Sequence, residues 1–161
     1  MRRLVLVLAG VLVLVVANLA ILARERQLAG GTRLILALAP VDPRSLMQGD
    51  YMALAYALER EIGTPTADGR LILSADERGV AKLVRVDDGQ PLASGEVPVD
   101  YRLRSNRIRI GTNAWFFPEG QSSRYDTAKF GEFRVDGHGA VLLTGLLDEH
   151  LVRLGGPVVP R

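Results

Sequence analysis

Two hydrophobic patterns divide this chain. From Leu4 to Ala23 the sequence LVLVLAGVLVLVVANLAILA carries no charge, and only Gly10 and Asn18 fall outside the strongly apolar set. Twenty residues in a helix span roughly 30 Å, the thickness of a bilayer's hydrocarbon core. Beyond residue 31 the dominant period is two, which predicts strands. Leu34, Leu36 and Leu38 alternate through TRLILALA until Pro40, Asp42 and Pro43 interrupt. A second run opens at Gly49-Asp50 and places Met52, Leu54, Tyr56 and Leu58 on one face. A helix carrying Leu54, Leu58 and Ile62 is the rival reading there.

Three hairpins follow from turn signals between alternating runs. Arg70–Ala75 and Val80–Val86 flank DERG; Val97–Arg104 and Arg107–Ile110 flank Ser105-Asn106; Glu132–Val135 and Ala140–Leu147 flank DGHG. The run NAWFF stops at Pro118, and residues 119–130 lack a period of two and hold good helix formers, so one short helix is expected there. The fold class is therefore mainly β (α+β): an antiparallel sheet or open barrel with one short helix, preceded by one N-terminal transmembrane helix. The division expected is 1–23 as anchor, 24–31 (RERQLAGG) as a short polar tether, and 32–161 as an extracytoplasmic β domain.

Charge changes this picture only locally. The formal charge of +2 and pI near 9.3 suggest a binder of polyanions. Yet all 18 acidic and 18 of the 20 basic residues lie beyond Ala23, so the excess is Arg2 and Arg3 ahead of the apolar run. A global field of the nucleic-acid-binding kind is not supported, and no nucleic-acid partner is expected. A cleaved signal peptide fits less well than an anchor: a cut after Ala20 or Ala23 puts Asn18 or Ile21 at the −3 position. Arg24, Arg26 and Arg33 nearly balance the basic residues ahead of the span, so the short N-terminal tail is what favours domain-out topology. Zero cysteines exclude a disulfide framework, a thiol nucleophile and a lipidated N-terminal cysteine. No strand–glycine-rich loop–helix unit is present, and no cofactor is expected.

Gly49-Asp50-Tyr51-Met52-Ala53-Leu54-Ala55-Tyr56 matches Gly-Asp-Tyr-x-x-Leu-x-Tyr at every specified position. The chain thus resembles the GDYXXLXY family of bacterial membrane-anchored proteins, and the likeness continues in Phe116–Asp136 and Leu142–Leu151. The resemblance implies an inner-membrane anchor, a periplasmic domain and association with a polytopic membrane protein; it brings no activity with it. Physically, Gly49 supplies a tight turn, Asp50 accepts turn N–H groups, and Tyr56 packs inward while Tyr51 faces the other way.

Candidate chemistry is sparse. Pro43 to Asp50 invites comparison with type I signal peptidases, but Arg44 interrupts their spacing and Pro40 stands where their nucleophile is expected. A serine–lysine mechanism needs a buried lysine, and Ser45 with Lys82 is the one pair to name. His150 beside Asp148 and Glu149 resembles a metal triplet only superficially, so no metal site is expected. Arg102, Arg104, Arg107 and Arg109 fall on one face of one hairpin, open either to anionic lipid or glycan, or to solvent and neighbouring acids. Trp115-Phe116-Phe117 suits core packing or a membrane interface. Glu119, Arg124 and Tyr125 are the remaining polar candidates, carried by the resemblance alone. A non-enzymatic accessory role is favoured.

Overall fold

The computed structural model describes residues 2–39, 47–48, 51–63, 65–105 and 107–156. One helix, α1 (Arg2–Gly30), is followed by eleven strands: β1 (Thr32–Ala37), β2 (Met47–Gln48), β3 (Tyr51–Ala53), β4 (Gly69–Ala75), β5 (Ala81–Val86), β6 (Glu96–Arg104), β7 (Arg107–Ile110), β8 (Ala114–Phe116), β9 (Phe130–Val135), β10 (Val141–Leu147) and β11 (Arg153–Leu154). They form sheets in the orders β1-β9-β10-β11, β2-β3-β8 and β5-β4-β6-β7, antiparallel throughout and curled as half-barrels. A parallel bridge between Ile35 and Val80 joins the first and last of these along their edges, and Leu38 bridges to Tyr56.

The period of two is what buries the core. Leu34 and Leu36 from β1, Leu71 and Leu73 from β4, Val99 and Tyr101 from β6, Ile108 and Ile110 from β7, and Phe133 and Val135 from β9 meet in one cluster. Their alternating neighbours point the other way, and on β6 and β7 those are charged except Pro98. A one-residue slip would bury arginines, so the register is strongly specified.

Two local expectations are corrected. Residues 24–30, read as a tether, continue α1 as helix, and the Gln27 side chain is buried. Its amide donates to the carbonyls of Ala140 (2.8 Å) and Arg134 (3.2 Å), while Arg134 donates back to the Gly31 carbonyl. Extending an existing helix costs little compared with nucleating one, and these bonds fix its end against β9 and β10. The helix expected within 119–130 is a single 3-10 turn, Ser122–Arg124, and a second covers Ala57–Arg60 after β3 ends. The strand and helix readings of that second run thus each hold over part of it.

Three turns share one construction. Asp76, Asp136 and Asp148 each accept the backbone N–H groups two and four residues on. The residue three on has positive φ: Gly79 (84°), Gly139 (96°) and Leu151 (63°). Leucine in the left-handed region costs about 1–2 kcal/mol. Leu151→Gly should therefore leave the melting temperature unchanged or raise it, strain relief offsetting a half-buried side chain. Gly139→Leu should lower it by roughly 3–8 °C, since a Cβ there would also lie 2.9 Å from the Asp100 carboxylate. Thermal melts giving the reverse order would refute this account.

Candidate functional site

The motif residues divide between core and surface. Gly49 and Asp50 lie outside the described residues, as does Ser45. Met52 and Leu54 are buried, and Tyr56 is 1% exposed with its hydroxyl donating to the Thr112 carbonyl at 2.9 Å. Its ring meets Phe133 edge-on, centroids 5.5 Å apart. Tyr51 takes the opposite face, half-buried beside the exposed Phe116 at 5.6 Å. The motif thus positions one tyrosine on β3 facing outward and one beyond its end facing inward, the inner one locked by packing and a hydrogen bond.

Tyr56 also opens the 3-10 turn at Ala57, where its N–H is accepted by Glu59 at 3.3 Å. Burial first, and the Glu59 charge second, push the Tyr56 phenol far above its ordinary range. Glu59 is itself raised by burial, opposed in order by the Tyr56 N–H, Arg109 and Arg107. Its folded pKa therefore lies above its unfolded value. The stability linked to it is fully present below the unfolded pKa and is lost as pH rises through the folded one. Glu59→Gln keeps an acceptor oxygen for Tyr56 and removes the titration. Its gain in melting temperature over the wild type should grow from about pH 4 to pH 7; a flat or shrinking difference would refute the assignment.

The arginine stripe is real as a face and unequal as a set. Arg102 stands directly opposite Arg109, and Arg104 opposite Arg107. Arg104 lies 3.6 Å from Asp68 and also donates to its neighbour's carbonyl. Arg102 and Arg109 have no hydrogen bond or ion pair among the described residues. Both line an open cleft of about 940 Å³, joined there by Arg24 from α1, Arg70 from β4, and Val141 and Leu143 from β10. Sequence reasoning missed Arg24 and Arg70, because α1 and β4 reach this place only through the sheet order.

The other candidates do not converge on a site. Lys82 is exposed on β5 opposite Ser74, without the burial that a serine–lysine pair needs. Tyr125 is buried, stacked on Phe117 with centroids 5.2 Å apart and edge-on to Trp115. Arg124 is exposed and donates to Gln121, and Glu119 is exposed, so the three residues do not form one polar cluster. Phe116 points outward from NAWFF, whereas Phe117 is buried and Trp115 half-buried. Asp148 is occupied by its turn N–H groups, that of His150 among them, and the His150 ring lies 3.5 Å from Glu149, both exposed. Among the described residues no group of three carboxylate or histidine side chains is placed to hold a metal ion.

The family model described as GDYXXLXY protein matches residues 13–146. The chain belongs to the GDYXXLXY family. That match begins inside α1 and ends within β10, so the GDYXXLXY unit takes in the second half of the apolar helix and every strand but β11. Comparison with curated proteins and with solved structures finds no match.

Proposed function

We propose that this GDYXXLXY protein is a single-pass protein of the bacterial inner membrane whose β domain faces the periplasm and serves as an accessory to a polytopic membrane protein. The observation that carries this reading is the state of α1. It is long and apolar enough to cross a membrane, and none of its most apolar stretch is buried within the protein. Leu4, Leu6, Leu12, Val13 and Leu14 are each more than 60% exposed. Such a helix has no stable place in water and a natural one in lipid. Its last turn is hydrogen-bonded to Arg134 in β9 and to Ala140 just ahead of β10, so it holds the β domain close to the membrane surface, where a polytopic partner is within reach.

No observation favours hydrolysis by Ser45 and Lys82, and the reading is non-enzymatic. The test is purification of the full chain in mild detergent followed by mass spectrometry. A multispan protein at one-to-one stoichiometry is the expected result; recovery of the chain alone across several detergents would sink the accessory role. Orientation has its own test, eased by the absence of native cysteine. Ser123→Cys on the exposed 3-10 turn should react with a membrane-impermeant maleimide in intact spheroplasts. Reaction only after permeabilisation would place the domain in the cytoplasm.

A further inference from the structure

The cleft beneath the arginine hairpin gathers four arginines, Arg24, Arg70, Arg102 and Arg109, around three aspartates, Asp68, Asp87 and Asp100. On the sheets elsewhere several arginines are held in close ion pairs. Arg85 grips both Glu96 oxygens at 2.8 Å, and Glu132 lies between Arg33 (2.5 Å) and Arg153 (3.1 Å). In the cleft every acid is already engaged. Asp100 accepts from Arg70 at 2.9 Å, Asp68 accepts the Leu103 N–H and faces Arg104, and Asp87 accepts the Gly89 N–H. What remains is Arg102, Arg24, bonded to the neutral Gln27 side chain, and Arg109, whose charge is felt by the half-buried Glu59 without a close ion pair among the described residues. Arg102 and Arg109 are moreover directly opposed across two strands, a like-charge pairing that destabilises a sheet unless an anion lies between or over the pair.

Position then says which anion. Arg24 directly follows the uncharged run that ends at Ala23, so with that run in the hydrocarbon its guanidinium sits at headgroup depth. The same Arg24 forms one wall of the cleft. Because the helix end is pinned to β9 and β10 by Gln27 and Arg134, the opening shares that depth. A further wall is apolar, from Val141 and Leu143. Guanidinium forks match phosphate oxygens, and an apolar wall beside them matches the glycerol and upper acyl carbons of a lipid.

We propose that this cleft binds the phosphate of an anionic phospholipid from the membrane that α1 crosses, with Arg102 and Arg109 as the phosphate ligands and Arg24 as the interfacial guide. The inference rests on the membrane-anchor reading above and adds to it a lipid partner and a defined seat. The directly opposed arginine pair is a like-charge cost that the free protein bears and the bound lipid relieves.

The test uses the full chain in a neutral detergent, melted alone and with phosphatidylglycerol, phosphatidylcholine or inorganic phosphate at equal phosphate concentration. Phosphatidylglycerol should raise the wild-type melting temperature by roughly 3–8 °C, and phosphatidylcholine and inorganic phosphate should not. Arg102→Gln with Arg109→Gln should lose the lipid-dependent rise. Arg102→Lys with Arg109→Lys, which keeps charge and loses the fork, should retain only part of it and covers a glutamine variant that fails to fold. Arg78→Gln, on the β4–β5 turn, should keep all of it. No rise in the wild type, or an equal rise in the glutamine variant, would overturn the proposal. A rise of the same size with inorganic phosphate would make the cleft a soluble-anion site and overturn the lipid assignment. Alkaline extraction of membranes separates the two readings. Release of the chain defeats the anchor, whereas retention without a lipid-dependent shift defeats the cleft alone.

Discussion

Phe133→Ala should be the most damaging single substitution in the β-sheet body, costing about 3–5 kcal/mol. The ring is fully buried at the centre of β9, in register with Leu34 on β1 and Leu143 on β10. Two glycines make room for it. A Cβ on Gly111 or on Gly131 would each lie 3.2 Å from a Phe133 ring carbon. The backbone is thus shaped around this side chain and cannot collapse easily into the space it leaves. The melting temperature should fall by roughly 6–20 °C, with the denaturant midpoint moving in step. A loss below about 1 kcal/mol would show that the site relaxes and that the glycines are not a fitted socket. A double-mutant cycle with Tyr56→Leu should return a coupling of about 0.5–1.5 kcal/mol for the edge-on pair.

Gly31→Val should break the junction between helix and sheet while leaving the sheets paired. A Cβ on Gly31 would lie 2.5 Å from the Gln27 carbonyl oxygen and 3.1 Å from that of Val135. Both obstacles are backbone, which cannot swing aside as a side chain does. The residue is also held from each side, its N–H donating to Gln27 at 2.9 Å and its carbonyl accepting from Arg134 at 3.0 Å. Forcing a side chain in should cost about 1–3 kcal/mol and free the last turn of α1. Hydrogen exchange is the suitable measurement. Amides near the helix end should exchange about 10–100 times faster, while β9 stays protected. Unchanged protection at the helix end would mean that the junction yields elsewhere. The lipid cleft depends on this junction, so the same variant should weaken the phosphatidylglycerol effect without touching an arginine.

Much of the architecture was legible because it is written in local alternation. Val99 and Tyr101 before the Ser105 turn, and Ile108 and Ile110 after it, declare a buried face that the structure buries. The aspartate-led turns at Asp76 and Asp136 were legible for the same reason: a short acceptor and a glycine three residues on are both local signals. The polar run at Asp148 also read as a turn, but that Leu151 takes the place of the glycine and carries the positive φ was not legible.

The errors share a cause. Residues 24–30 look like a solvated tether because Arg24, Glu25, Arg26 and Gln27 are polar. Their helix is held by partners of Gln27 that lie 107 and 113 residues away, which no window along the chain contains. Residues 119–130 hold good helix formers, yet only Tyr125 and Ala128 among their second half pack against the core, too little apolar face to support regular turns. Tyr125, singled out by resemblance alone, is buried and stacked on Phe117, a contact that no local pattern announces.

By itself, then, the sequence determined the uncharged helix, the β class, the faces of each strand and the family, because hydrophobic length, a period of two and a contiguous motif are properties of neighbours in the chain. Only the tertiary structure decided what each arginine meets. The stripe of four is one face in sequence, but sheet order brings Asp68 to Arg104 and places Arg102 and Arg109 beside Arg24 in one cleft. Charge balance at a surface depends on separations of a few ångströms between strands far apart in the chain, and those separations exist only once the sheets have closed.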